Sequence, residues 1–445
     1  MANHVPRLIR LAGPLILSSS AVMTMQIIDA LVLAWHSPEA VAAMGPSSLA
    51  VLLFQGFLYG AAAYAGTFVA HSHGRADAGG VRKSAWIGIH AALFSGLAAL
   101  AVAWPLSRLF LLMGHDPAVA RYEQTYFWIC MAGSFFPVLG GALSGWLSGI
   151  GRTLAIAWVM VFSFAVNAVL TWGLVLGKWG LPRMGIAGAA VGTVTAEMIS
   201  AGLFTILFVR SGGFSDPAER RFDWPAFHHF LSLAVPLGLR VSGELIAWTL
   251  FLVVIGRLGV VELAASSIAF RINGLAFFPA IGMGQAAGIL VGQARGAGKD
   301  SDVPAIGWQA LAMCEAWMLA VAFLFALAPV PLMSVFAGAG PQSAQIVSAG
   351  VLILRFVALY CIIDAANILL GWVLAAAGDT RWVAWAYFVS SAVFLALLWM
   401  VDRAIPSLVA EWTLATVFIF ITAVVWAIRF HSGAWKKARV LREVV

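Results

Sequence analysis

Residues 211–224 read Ser-Gly-Gly-Phe-Ser-Asp-Pro-Ala-Glu-Arg-Arg-Phe-Asp-Trp, the longest polar break in a chain of 445 residues. Turn formers and charges fill it, and apolar run follows apolar run on both sides. Each membrane-crossing helix needs about 20 mostly apolar residues. Before the break, six such runs are read at 8–36, 40–71, 84–113, 119–147, 153–177 and 185–210. After it come six more, at 227–257, 262–292, 304–336, 344–374, 381–402 and 407–430. The reading is an all-α polytopic membrane protein with twelve transmembrane helices, divided six and six.

Composition agrees. The chain is 62% hydrophobic and only 10% charged, where a soluble chain carries about 25% charged residues. The surplus apolar surface must face lipid. Met1 to Arg10 is too short and polar for a cleavable leader, so the first run is read as a retained span. Cys130, Cys314 and Cys361 fall inside apolar runs and read as small packing residues, with no disulfide framework. The net charge of +7 could invite a nucleic-acid reading. Lys and Arg sit at span ends, however, where basic residues set topology. No nucleic-acid partner is expected.

The basic residues also test the count. Of the 26 Lys and Arg, six (Arg108, Arg121, Lys178, Arg183, Arg257 and Arg403) fall on one side. Arg240, Arg271 and Arg355 lie within spans, and the other 17 fall on the opposite side. That bias puts both termini in the cytoplasm.

The halves repeat. At a shift of 222 residues, Leu11-Ala12-Gly13-Pro14-Leu15 aligns with Leu233-Ala234-Val235-Pro236-Leu237, Gly60 with Gly282, and Gly74 with Gly296. At a slightly larger shift, Gly151-Arg152-Thr153 echoes Gly378-Asp379-Thr380. Six spans return the chain to its starting side. Two parallel lobes follow, residues 1–218 and 219–445, related by a pseudo-twofold axis along the membrane normal. Gly56 and Gly60, Gly141, Gly145 and Gly149, and Gly284, Gly288 and Gly292 carry the four-residue interval of close helix contacts.

Five acids sit within spans: Asp29, Glu197, Glu244, Glu315 and Asp364. A charge at mid-membrane costs about 2.5–3.5 kcal/mol on insertion scales, so each needs a partner, a watery cavity or a proton. Asp29 shares its span with Pro14, which leaves one carbonyl without its donor and allows the helix to bend. Glu244 follows Arg240 by one turn, so an ion pair within the helix is available. Tyr360 lies one turn before Asp364, placing a phenol and a carboxylate on one face, a pair able to hold a small cation or an organic ammonium. Glu197 and Glu315 read equally well as packing acids, and His90 as a packing histidine. There is no phosphate-cradling loop and no metal-spaced His/Cys cluster, so the chain is read as no enzyme, with no structural metal and no cofactor.

These residues resemble the multidrug and toxin extrusion (MATE) family, in its NorM-like branch, over nearly the whole chain. The markers are Leu11 to Leu15, the Asp29 region leading into Ala40-Val41-Ala42-Ala43, Leu112-Met113-Gly114-His115-Asp116-Pro117, and Gly149 to Thr153. Further ones are Gly188-Ala189-Ala190, Leu290-Val291-Gly292-Gln293 and Ala376 to Thr380. The resemblance implies export of bulky, mainly cationic drugs and dyes in exchange for H+ or Na+ by alternating access. Its first-lobe carboxylate matches Asp29, its companion asparagine Asn167, and the polar position one turn later Thr171. The threonine after Gly188-Ala189-Ala190 matches Thr193. In the second lobe its glutamate matches Glu244, and its tyrosine and aspartate match Tyr360 and Asp364. Asp29, Glu244, Tyr360 and Asp364 are also expected to meet cargo, and Na+ is expected either at Glu244 and Asp364 or at Asp29 and Asn167. A monomer in the bacterial inner membrane is expected. The alternatives are a lipid-linked oligosaccharide flippase, for which Arg240, Arg271 and Arg355 would line an anionic-cargo cavity, and a passive channel.

Overall fold

A computed structural model gives residues 3–338 and 340–441, the side chains of Val22, Met23 and Leu275 excepted. Arg442, counted above among the cytoplasmic basic residues, lies outside them. Every regular element among the described residues is helical. This follows from the solvent: in hydrocarbon the backbone must satisfy its own hydrogen bonds, and a helix does so within one segment.

The helices are α1 (Val5–Ala34), α2 (Pro38–Ala63), α3 (Ala65–Gly74), α4 (Ala78–Ser107), α5 (Pro117–Ala132), α6 (Phe135–Gly149), α7 (Thr153–Leu176) and α8 (Ile186–Arg210). After the linker helix α9 (Pro217–Arg220) come α10 (Trp224–Leu258), α11 (Val260–Gly296), α12 (Val303–Leu327), α13 (Pro329–Phe336), α14 (Ser343–Ala376), α15 (Thr380–Ala404) and α16 (Leu408–His431). Ten spans are long and apolar enough to cross a membrane, with α2 and α3 together making one of them. Two further spans are bent pairs, α5 with α6 at 45° and the two parts of α11 at 41°, which completes twelve. One expected span is shorter than read. The run 304–336 ends at Leu327, and Pro329 opens α13, because proline cannot donate into the ladder and turns the residue before it away from the helix. At Pro14, by contrast, α1 runs on without a break.

Helix starts follow from side-chain caps. Ser37 accepts from the Ala40 N–H with Pro38 at the first turn, and Asp77 accepts from Gly80 at 2.8 Å. Asp116 accepts from Ala118 with Pro117 next, which gives the His-Asp-Pro marker a local role. The echoed Gly-x-Thr turns match in conformation: Gly151 and Gly378 both adopt positive φ, 80° and 92°, and each precedes the helix that starts at Thr153 or Thr380. L-residues avoid that region, so glycine is the default there.

Packing forms two compact units. One holds Leu17–Ser242 with Gly296–Gly298. Within it α3 crosses α6 where the glycine ladder lies: a Cβ on Gly66 would meet the Gly145 carbonyl oxygen at 2.7 Å, and one on Gly149 the Gly66 oxygen at 2.7 Å. The polar break is tied down in this unit. Arg82 makes a two-pronged pair with Glu219 at 2.5 and 2.6 Å, Lys83 pairs with Asp223 at 2.8 Å, and Trp86 donates to Gly213 O at 2.9 Å. His90 stands between the Trp86 and Phe222 rings, a packing role as read. The other unit holds the chain up to Ile16, Gly243–Arg295 and the chain from Lys299 onward. Its C-terminal turn is fastened by Arg295, which donates to the carbonyls of Ala377 and Lys436, and by Arg429, bidentate on Asp379 at 2.8 and 3.2 Å.

Candidate functional site

Four of the residues singled out in the first half converge. Asp29 of α1 is 3% exposed, and Asn167 and Thr171 of α7 are 0% exposed. Thr193 of α8 is their hub: it accepts from Asn167 Nδ2 at 3.3 Å and donates to the Ala189 carbonyl at 3.0 Å, with Asp29 Oδ2 at 3.5 Å. The last distance is at the limit for a hydrogen bond, so the hydroxyl's better acceptor is its own helix. Asp29 Oδ1, Asn167 Oδ1 and Thr171 Oγ1 are buried without a hydrogen-bond partner. Asp29 is therefore no solvated acid at a span end. It is a buried carboxyl with only the Thr171 and Thr193 hydroxyls within reach as side-chain donors, and Asn167 Oδ1 beside it makes no direct hydrogen bond. An arrangement made only of oxygens suits a proton or a hard cation.

The fold explains why they meet. Gly192 lies against Thr171, where a Cβ would meet its Oγ1 at 2.9 Å. That absent side chain lets α7 and α8 approach closely enough for Asn167 to reach Thr193.

The second constellation lies in the other unit. Asp364 is 4% exposed and accepts from Asn367 Nδ2 at 3.2 Å, while Asn367 Oδ1 accepts from Trp426 Nε1. Tyr360 accepts from Asn273 Nδ2 at 3.0 Å, and Cys361 donates to Asn273 Oδ1 at 3.6 Å. Glu244 is half-buried and within electrostatic reach of Asp364. The three expected residues thus share one neighbourhood, which three unexpected ones support. Asn273, Asn367 and Trp426 went unread because amides and indoles carry no charge to stand out in an apolar run. The spacing of Asn367 three residues after Asp364 was the available signal.

Glu411 was also missed. It sits in the first turn of α16, near enough to a span end to pass for solvated, yet it is 0% exposed with both carboxylate oxygens unpartnered. Glu123 is equally buried, and His115 of the same marker approaches it at 2.9 Å. Of the three arginines expected of an anionic-cargo cavity, Arg271 and Arg355 are exposed side chains and Arg240 is half-buried. The cysteines are free and buried, as read.

The comparisons with known proteins agree on the family and the fold. The MatE family model matches residues 14–172 and 236–400. The chain is 30% identical over 399 residues to the multidrug resistance protein NorM of Burkholderia vietnamiensis, covering 86% of this chain and 83% of the relative. In fold it is similar to a solved outward-facing structure of a multidrug resistance MATE family transporter of the MOP superfamily, with TM-score 0.88 and 19% identity over 97% of this chain and 96% of that one. A MOP superfamily transporter of Pyrococcus furiosus, described as having a binding pocket of reverse polarity, follows at TM-score 0.86 and 18% identity over 97% and 96% of the chains. With both halves matched by one family model and the all-helical, multi-pass, two-lobe fold shared, the chain belongs to the MatE family and is a secondary transporter of the membrane, not an enzyme.

Proposed function

We propose that the protein exports lipophilic, mainly cationic organic molecules from the bacterial cytoplasm in exchange for H+ or Na+, by alternating access between the lobes 1–218 and 219–445. The observation that carries the coupling is Asp29: a buried carboxyl with one oxygen unpartnered and the other only distantly approached, next to unpartnered oxygens of Asn167 and Thr171. A carboxylate so placed is costly when charged and empty, and it is relieved by a proton or a cation. An antiporter needs a group whose occupancy by the ion competes with the drug-bound state, so that neither leaks alone. The NorM relative, a multidrug resistance protein by name, supports organic drugs as cargo. Glu244, Tyr360 and Asp364 supply a second acidic and aromatic neighbourhood, which favours cationic cargo. The protein works as a monomer, and Pro14 supplies the flexible point of α1.

The test is dye efflux from proteoliposomes holding purified protein, with a pH gradient or a sodium gradient imposed separately. One of the two is expected to drive ethidium uphill, and anionic dyes of similar size to move at least tenfold more slowly. Equal movement of ethidium with no gradient at all would mean a channel.

A further inference from the structure

The Asp29 cluster continues past the residues considered so far. On α7, Ser163, Asn167 and Thr171 recur every four residues, and all three are buried with an unpartnered oxygen. On α8, Thr193, Glu197 and Ser200 share a face, four and then three residues apart. The two helices run antiparallel, and Asn167 bonds Thr193. That register, continued one turn, puts Ser163 level with Glu197, about 5.4 Å along the axis from the Asp29 cluster. Ser200 Oγ reaches Glu197 Oε2 at 3.4 Å. Tyr59 of α2 is within electrostatic reach of Glu197 and hydrogen-bonding reach of Ser144 on α6. Its ring packs where a Cβ on Gly141 would meet it at 2.8 Å. Four helices therefore bring polar groups to one level of an otherwise apolar unit. Buried hydroxyls without partners cost about 1–3 kcal/mol each, so a stripe of them calls for a reason beyond packing.

We propose that Glu197 is a second proton carrier of this unit, receiving the coupling proton from Asp29 past Thr193 and then Ser163, one helical turn further on, and passing it towards the end of α8 at Arg210. This rests on the antiport reading above and takes the ion to be H+. The transfer balances: a proton leaves the Asp29 carboxyl, which becomes carboxylate, and the Glu197 carboxylate becomes a carboxyl. The charge of the pair is unchanged. Thr193 serves as the shared hydroxyl, since its single hydrogen can turn from the Ala189 carbonyl to Asp29 when that group is charged. The onward step from Glu197 requires water to reach it, and its side chain is half-buried where that of Asp29 is 3% exposed. The titratable groups around the path are Tyr59 on α2, Tyr126 and Cys130 on α5, and Asp29 itself.

The test uses the whole protein in proteoliposomes with ethidium, comparing wild type, Glu197→Gln, Glu197→Asp and Asp29→Asn. Net efflux driven by a pH gradient requires proton release. Exchange of labelled for unlabelled dye at equal pH does not. Glu197→Gln is expected to lose net efflux at least tenfold while exchange stays within twofold, and Glu197→Asp to recover at least a third of the net rate. Wild-type net efflux in Glu197→Gln, or equal loss of exchange and net efflux, overturns the relay. So does driving of wild type by a sodium gradient alone, although antiport itself then stands. If Glu197→Gln does not fold, Ser163→Ala carries the question: net efflux falls severalfold with exchange intact, or the relay is wrong. Wild-type behaviour of Asp29→Asn would instead sink the underlying first-lobe site.

Discussion

At the scale of the residue, buried oxygens without partners set the first-half site apart. Asp29 is legible as an acid in an apolar run, but the sequence left open whether water reached it. Burial to 3% closes that question. Asp29→Asn keeps the shape and removes a charge that costs about 2.5–3.5 kcal/mol in mid-membrane. It is expected to abolish gradient-driven efflux, measured per unit of membrane protein, with no loss of thermal stability. Thr193→Val should behave differently. It strips the acceptor of Asn167 Nδ2 and leaves a buried donor unsatisfied, a cost of about 1–3 kcal/mol. A lowered melting temperature together with slowed efflux is the expected outcome, and unchanged stability would mean that the Asn167 contact carries no weight. Asn273, Asn367 and Glu411 mark where residue-level reading stops. Uncharged amides and an acid near a span end look ordinary until neighbours from other helices close over them.

At the scale of the element, span positions were largely legible because hydropathy sets them, and the breaks had local signals, although their angles did not. The 45° bend falls at Gly133-Ser134, with Pro137 just beyond unable to donate to the Gly133 carbonyl, while the size of the bend depends on what the two arms pack against. The glycine ladder of α6 shows the same division. Its spacing predicted a close crossing, and the partner, α3 at Gly66, came from the fold. Gly145→Val would drive a Cβ to 2.9 Å from the Ala63 carbonyl, so a destabilisation of about 1–3 kcal/mol is expected. A drop in melting temperature of the purified protein checks it. The linker makes a pH prediction. Asp223 lies just outside α10, and its hydrogen bonds from Lys83 and then the Ala226 N–H hold its carboxyl below the usual carboxylate range. A depressed value means stabilisation that is complete above the unfolded value near 4 and lost as pH falls through the folded one. The melting-temperature gap between wild type and Asp223→Asn should therefore be widest near pH 6 and narrow progressively as pH falls below about 4. A gap independent of pH across that range would show that the carboxylate's charge is not the cause.

At the scale of the whole molecule, the bias of basic residues at span ends predicts the orientation. A reporter fused after Val445 is expected to be active only in the cytoplasm, and one placed in the Gly180–Gly185 loop only outside. A periplasmic C-terminus would mean that the spans alternate differently. The twelve spans and the two-lobe, all-helical fold were legible in the sequence. They rest on quantities summed over twenty or more residues, and lipid allows few solutions for so apolar a chain. The order of the acids along the chain was also plain from sequence. Only the tertiary structure decided which of those acids share a neighbourhood, because that depends on helix rotation and register. The register of α7 against α8 brings Asn167 to Thr193 and leaves buried oxygens bare, and it rests on a missing side chain at Gly192. A single run of residues carries no record of what its neighbours leave unsatisfied.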